Sequence, residues 1–238
     1  MHGIAKHSFE SYERLVANKL AEHPKERDLA LAQSIGSPDM ELFRVQGDGH
    51  VEVLRHHGLI DGMTIYDLGC GSGRTAQALV RDGWRGDYIG VDIVEALVAH
   101  VRKKCPGYKA FTHRSPSLVA ADASLDMVFH WSVFTHLLPE ECFAYLKDTF
   151  RTLKPGGHLV FSFLEYEDMR HRGLFMRRME AIVAGDQLDH LDTFLPRSWI
   201  ASWAEIIGFE QVEFTNGNDT RHHHEFWQSI VGMRKPVF

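Results

Sequence analysis

Three glycines at alternate positions follow an aspartate in the run Thr64-Ile-Tyr-Asp-Leu-Gly-Cys-Gly-Ser-Gly-Arg74. Gly69, Gly71 and Gly73 lack a Cβ, so the chain can turn tightly there at positive φ and a ligand can lie against backbone amides. Thr75, Ala76, Leu79 and Val80 resume at helical spacing, which places the loop where a helix begins and its unsatisfied N–H groups point outward. The chemistry this suits is the holding of an adenosine-type ligand; a plain tight turn is the alternative. Arg74 stands where a dinucleotide fingerprint has its third glycine, and no GxxxxGK(S/T) phosphate loop occurs. Dinucleotides and nucleoside triphosphates therefore fit poorly. Asp92 closes the apolar run Tyr88-Ile-Gly-Val, nineteen residues after Gly73, where a carboxylate can accept from both hydroxyls of a ribose. Capping of the next helix is its competing role.

Other polar groups are candidates by position. Arg44, Gln46 and His50 lie in a glycine-punctuated stretch that reaches a ligand or merely starts a solvated helix. Glu165, Tyr166 and Asp168 lie just past a strongly apolar strand, at the sheet edge where ligands bind, and are candidate substrate contacts; a hydrated loop is the alternative. His222, His223 and His224 are consecutive, so their side chains diverge, and no second Cys/His cluster accompanies them. They read as exposed link residues, and no metal is expected.

The elements that must position these groups follow from periodicity. Tyr12, Leu15, Val16 and Leu20, then Leu29 to Ile35, make the first fifty residues helical. After the glycine loop, helix and strand alternate: a helix to Asp82, a strand at Tyr88–Val91, and a helix on Val94, Leu97, Val98 and Val101. Strands at Tyr108–Thr112 and Leu125–Phe129 follow, then a helix opened by Pro139 with Glu140 and Glu141. Lys154-Pro-Gly-Gly157 reads as a compact turn before a fifth strand, His158–Leu164. Such alternation demands a mainly parallel sheet with helices on both faces. Residues 166–195 are too long for an ordinary connection and read as a substrate-side insertion with a helix near Leu174–Val183. The stripe Trp199, Ile200, Trp203, Ile206, Ile207 with Gly208 gives a last helix, and Phe209–Thr215 and Phe226–Met233 a final strand pair.

With 238 residues the chain can bury one sizeable core, and a single domain is expected: a helical cap over 1–60, a cofactor-binding core over 62–165, the insertion, and the C-terminal helix and strand pair over 196–238. Twenty-six basic against 32 acidic residues give a net charge of −6, which argues against nucleic acid as a partner and favours a small molecule. Cys70, Cys105 and Cys142 are odd in number with no CxxC spacing, and no apolar signal segment opens the chain, so a reducing, cytoplasmic setting is expected. No stretch nears the roughly 20 apolar residues of a membrane span. The oligomeric state is open.

Four segments in order, Ile65–Gly73, Ile89–Asp92, Leu125-Asp-Met-Val-Phe-His-Trp-Ser132 and Leu153-Lys-Pro-Gly-Gly157, resemble the class I S-adenosylmethionine-dependent methyltransferases over about residues 62–165. The resemblance implies an α/β, doubly wound, seven-stranded Rossmann-like sheet whose last strand is antiparallel, and S-adenosyl-L-methionine as cofactor. It puts the methionine portion over Gly69, Cys70, Gly71 and Gly73, with Asp67 on the ammonium, Asp92 on the ribose and Ile93 on the adenine face. His130 and Trp131 would line the sulfonium side. Relatives usually carry an acid after the third strand that accepts from the adenine amino group; here Arg114 falls in that place, and a guanidinium cannot accept. Ser115 or a backbone carbonyl then serves, or the match shifts by a residue or two. His136 occupies a position at which related small-molecule methyltransferases often have histidine, and it can deprotonate a hydroxyl or pack on the Pro139 helix.

The leading expectation is methyl transfer to a hydroxyl, or less readily an amine, of a small metabolite. In-line displacement needs chiefly a well-held acceptor. A non-catalytic cofactor-binding sensor or scaffold is the alternative, and a nicotinamide oxidoreductase is disfavoured by Asp67 and Arg74.

Overall fold

The computed structural model describes residues 4–186, 188, 190–219 and 225–237. The apolar spacing of the first fifty residues produces α1 (Ile4–Glu22), α2 (Arg27–Gln33) and α3 (Met40–His56). The alternating part follows as β1 (Thr64–Leu68), α4 (Arg74–Asp82), β2 (Asp87–Asp92), α5 (Glu95–Lys104), β3 (Lys109–Thr112), β4 (Leu125–His130), α6 (Pro139–Thr152) and β5 (Leu153–Glu165). A single 3₁₀ turn, Phe134–His136, sits between β4 and α6. The chain closes with α7 (Met169–Ala184), β6 (Phe194–Leu195), α8 (Arg197–Ile207), β7 (Glu210–Thr215) and β8 (Ser229–Arg234). His222, His223 and His224 lie outside the described residues.

The strands lie in the order β3-β2-β1-β4-β5-β8-β7, with β1 to β5 parallel and β8 antiparallel to both its neighbours. The sheet is the expected doubly wound one, plus β6, a two-residue strand that pairs with Leu164 and Glu165 at the end of β5. Successive side chains of a strand point to opposite faces, and both faces here are covered. Ile65 packs with Leu54, Leu79 and Val98 on one side; Tyr66 and Leu68 pack with Leu146, Ile200 and Ala204 on the other. The winding reverses between β1 and β4, so a crevice opens at the carboxyl ends of these strands. The cap closes over it: Val16 and Leu31 pack with Val94 and Leu97, and Tyr12, Ile35 and Ile93 lie against them.

Some local expectations change. Arg44 to His50 is neither a loop nor a helix start but the middle of α3, and its glycines are there for packing. A Cβ on Gly47 would come 2.8 Å from the carbonyl oxygen of Arg74, so the glycine lets α3 lie directly on α4. Lys154–Gly157 is drawn into β5 rather than forming a separate turn; the register with β4 shifts between Leu125 and Met127, and Gly156 takes φ +78°. The stripe on α8 is helical as expected, yet only Ile200 and Ala204 are buried and Trp199 is half exposed.

Candidate active site

A cavity of about 420 Å³ lies over the carboxyl ends of β1, β2 and β4, a volume suited to a small ligand. The glycine loop forms its floor. Gly69, Gly71 and Gly73 all adopt positive φ (+71°, +55° and +85°), and a Cβ on Gly69 would fall 2.4 Å from the Val133 side chain. Gly73 caps α4. The loop is tied to the next strand: the amide of Gly71 donates to Asp92 Oδ2 at 2.9 Å, while Asp92 Oδ1 accepts from Val94 N at 2.9 Å. Asp92 thus caps the next turn and still faces the cavity, so its two candidate roles coexist.

Two carboxylates are buried in this floor. Asp67 accepts a 2.6 Å bond from the Tyr88 hydroxyl, and burial pushes its carboxyl up to about 7, with the nearby Asp92 charge acting in the same direction. Burial also raises Asp92. The Arg74 charge favours the ionised Asp67, but by less than burial opposes it. Arg74 is the one guanidinium on the cavity wall among the described residues; it is held by Ser37 (3.0 Å) and Gln46, and burial lowers it to about 10. Its Nε is buried with no hydrogen-bond partner among the described residues. The sequence marks Arg74 only as a departure from glycine. Its use becomes visible only when α2 and α3 supply Ser37 and Gln46.

The walls come from distant elements. Tyr12, Leu15 and Ile35 enter from the cap, and Ile93 and Leu97 give an apolar side beside Asp92. His50 lines the opposite wall, with Nδ1 at 2.9 Å from Thr75 Oγ1 and its ring 4.4 Å from that of Trp131. Past β4, Ser132 takes φ +57°, its amide donates to Ser162 Oγ at 2.8 Å and its hydroxyl accepts from Gln228 at 2.8 Å. That network holds the turn carrying Thr135 and His136. His136 lines the cavity, and because a carbonyl oxygen only accepts, its Nδ1 must donate the 2.8 Å bond to Leu191 O. Nε2 is then the lone-pair nitrogen. Burial lowers this imidazole to about 4, so it is uncharged at neutral pH.

Of the residues singled out in the sequence, Asp67, Gly69, Cys70, Gly71, Asp92, Ile93, Trp131, His136 and His50 meet at this cavity. Others are placed elsewhere. Gly73 faces Val101 beneath the loop. Arg114 donates to Ile93 O at 3.1 Å and stacks on Phe9 at 3.9 Å, and Ser115 uses its carbonyl to accept from Tyr145; their neighbour His113 is the residue that reaches the lining. His130 is buried under the floor against Phe161, 4.8 Å away with rings nearly parallel, and burial drives it down to about 3. Glu165 is bound to Arg197 (2.8 Å) and Ser229 (2.7 Å), and Tyr166 points outward, edge-on to Phe175. Asp168 caps α7, and Arg44 is an exposed partner of Glu41 and Asp48. Residues the sequence did not single out, Tyr12, His190 and Asp192, complete the far wall. The signal for the latter two was the length of the insertion that ends there.

Residues 65–157 match the family model described as a methyltransferase domain. A probable S-adenosylmethionine-dependent methyltransferase of Mycolicibacterium smegmatis is 37% identical over 101 residues, 42% of this chain and 38% of that one. A trans-aconitate 2-methyltransferase of Acidovorax sp. is 30% identical over 135 residues, 53% of this chain and 48% of its own length. The chain thus spans under half the length of these curated relatives. Magnesium protoporphyrin IX methyltransferase from Synechocystis, solved with bound S-adenosylhomocysteine, superposes with a TM-score of 0.64 at 15% identity, covering 95% of this chain and 97% of that one, a likeness of fold.

Residues 65–157 thus carry a methyltransferase domain, and the sheet shares the fold of S-adenosylmethionine-dependent methyltransferases of known structure. The floor fits their cofactor on its own chemistry. A buried acid whose carboxyl is held near 7 suits the ammonium, a guanidinium Nε without a partner among the described residues suits the carboxylate, and Asp92 keeps lone pairs for a diol beside an apolar wall.

Proposed function

We propose that the protein transfers the methyl group of S-adenosylmethionine to a hydroxyl, or alternatively an amine, of a small molecule held under α1 and the residues 190–192. The observation that carries this reading is that the glycine loop, Asp67 and Asp92 open onto the same cavity as His136. When bound, the cofactor supplies a methyl group on a positively charged sulfur with a neutral thioether as leaving group. The chain's own residues do the rest. Asp67 and Arg74 fix the two charged ends of the methionine portion, Asp92 the ribose, and Ile93 and Leu97 exclude water from the base. Trp131 and His50 wall the reacting end. The uncharged Nε2 of His136 accepts the acceptor's proton, and Nδ1–H on Leu191 O keeps the ring in that tautomer.

The net negative charge supports a small-molecule acceptor rather than nucleic acid. Three buried, unpaired cysteines suit a reducing compartment such as the cytoplasm, and no helix among the described residues is long and apolar enough to cross a membrane. Incubation with methyl-labelled cofactor and pools of hydroxylated and amino metabolites tests the proposal. A product heavier by one methylene, dependent on the protein, is the expected result. Cofactor binding with no product from any pool would leave a sensor or scaffold instead.

A further inference from the structure

The lining of the cavity includes a cluster whose chemistry is not that of cofactor binding. His136, His190 and Asp192 each present one ligand-type atom, and the three atoms lie within 4.8 Å of one another. All three line the cavity, and the Asp192 side chain is 8% exposed. We propose that they form a binding site for one divalent transition-metal ion at the acceptor end of the cavity.

The arrangement is held by backbone. Thr193 N donates to Thr135 O at 2.7 Å and Thr193 Oγ1 donates to Leu137 O at 2.6 Å, which clamps the His190–Asp192 segment onto the turn bearing His136. His136 Nδ1 donates to Leu191 O at 2.8 Å, the outer contact that fixes a metal-binding imidazole with its other nitrogen free to ligate. Asp192 Oδ2 is taken by Arg178 Nε, leaving Oδ1, 3.5 Å from His190 Nε2, as the carboxylate donor. Two imidazoles and one carboxylate suit zinc, cobalt, nickel or ferrous ions rather than magnesium or calcium. At present Arg178 Nη2 stands 2.8 Å from His190 Nε2, so a guanidinium supplies the positive charge that the ion would bring. An ion displaces that contact and leaves the bond to Oδ2 in place. The edge-on contact of the His136 and His190 rings, 5.2 Å apart, is the purely structural role against which the site is tested.

Three protein ligands leave at least one position open. There the ion takes an acceptor oxygen or sulfur, whose O–H or S–H ionises with its proton passing to solvent, and no oxidant or reductant enters. This use rests on the methyltransferase reading; metal binding itself does not. It also changes the part of His136 from proton acceptor to ligand, and runs against the expectation that no metal is bound.

The full chain, carrying Ala at His222, His223 and His224 to remove that unrelated cluster and stripped with chelator, is titrated with Co²⁺ by visible d–d absorption and with Zn²⁺ by calorimetry. No cofactor is present. The expected result is one equivalent bound, with Kd of about 10 μM or below, weakened at least about tenfold by His190→Ala and by Asp192→Asn. Circular dichroism checks that both variants are folded. Absence of saturable one-to-one binding, or binding unchanged in both variants, overturns the proposal. S-adenosylmethionine titrated into the same chelator-treated protein separates the two readings: saturable cofactor binding alongside a failed metal titration overturns the metal site and leaves the methyltransferase reading standing.

Discussion

The backbone amide of Gly71 donates to Oδ2 of Asp92 at 2.9 Å, so the carboxylate we propose for a ribose also fixes the glycine loop. One side chain thereby links the ends of β1 and β2. Asp92→Ala is expected to lose both functions and weaken S-adenosylmethionine binding about 10- to 100-fold, the range for a bond to a charged group. Asp92→Asn, which keeps one acceptor, should lose less. Calorimetry on the two variants checks the order.

Asp67 links cofactor binding to protons. Burial holds its carboxyl near 7, well above an ordinary aspartate, and an ammonium placed beside it favours the ionised form. Binding below pH 7 therefore releases a proton, and affinity rises with pH up to about 7 and then levels. Calorimetry in buffers of different ionisation enthalpy measures that release. Asp67→Asn is expected to abolish it; a release unchanged in the variant would point to another group.

His136→Ala is expected to lower turnover about 100-fold or more and leave cofactor affinity within a few-fold, if its Nε2 takes the acceptor's proton as we propose. Its depressed basicity has a stability consequence. The folded ring takes a proton only near pH 4, whereas the unfolded one does so near 6.5, so the unfolded chain binds more protons between these values. Stability is lost as pH falls from about 6.5 toward 4, and His130, lowered to about 3, adds to the same loss. Urea midpoints against pH, compared with His130→Phe, test the sign: the variant should depend on pH less steeply.

Glu165 was a candidate for substrate contact by sequence position, but its carboxylate is buried against Arg197 and Ser229 at the junction of β5, α8 and β8. Glu165→Ala is expected to destabilise the fold by about 2–3 kcal/mol by leaving Arg197 short of its partner. Turnover per folded molecule should change little at saturating acceptor. Thermal unfolding and steady-state kinetics on the same preparation distinguish this from a substrate contact.

The sheet was readable because each of its signals is local. Gly69, Gly71 and Gly73 demand a turn wherever they stand, and the runs Tyr88–Val91 and Leu125–Phe129 declare buried parallel strands by composition alone. Asp67 and Asp92 could be expected to face the cavity because a strand end fixes which way its last side chains can point. Beyond the strands this logic weakens. Nothing local shows that Gly47 serves a close approach of α3 to α4, that Gln46 and Ser37 hold Arg74, or that a bulge absorbs Lys154–Gly157 into β5. His113 rather than Arg114 reaches the cavity through a difference of one position in a loop, where spacing carries no period. The pairing of His136 with His190 and Asp192 depends on contacts across more than fifty residues, which only the folded chain brings together.

The central claim is that the floor of this cavity holds S-adenosylmethionine. Calorimetric titration of the purified chain with S-adenosylmethionine and with its demethylated product tests it most directly. Saturable one-to-one binding of both is expected, weakened in Asp92→Ala. No measurable heat from either at millimolar concentration, with the protein shown to be folded, would contradict it.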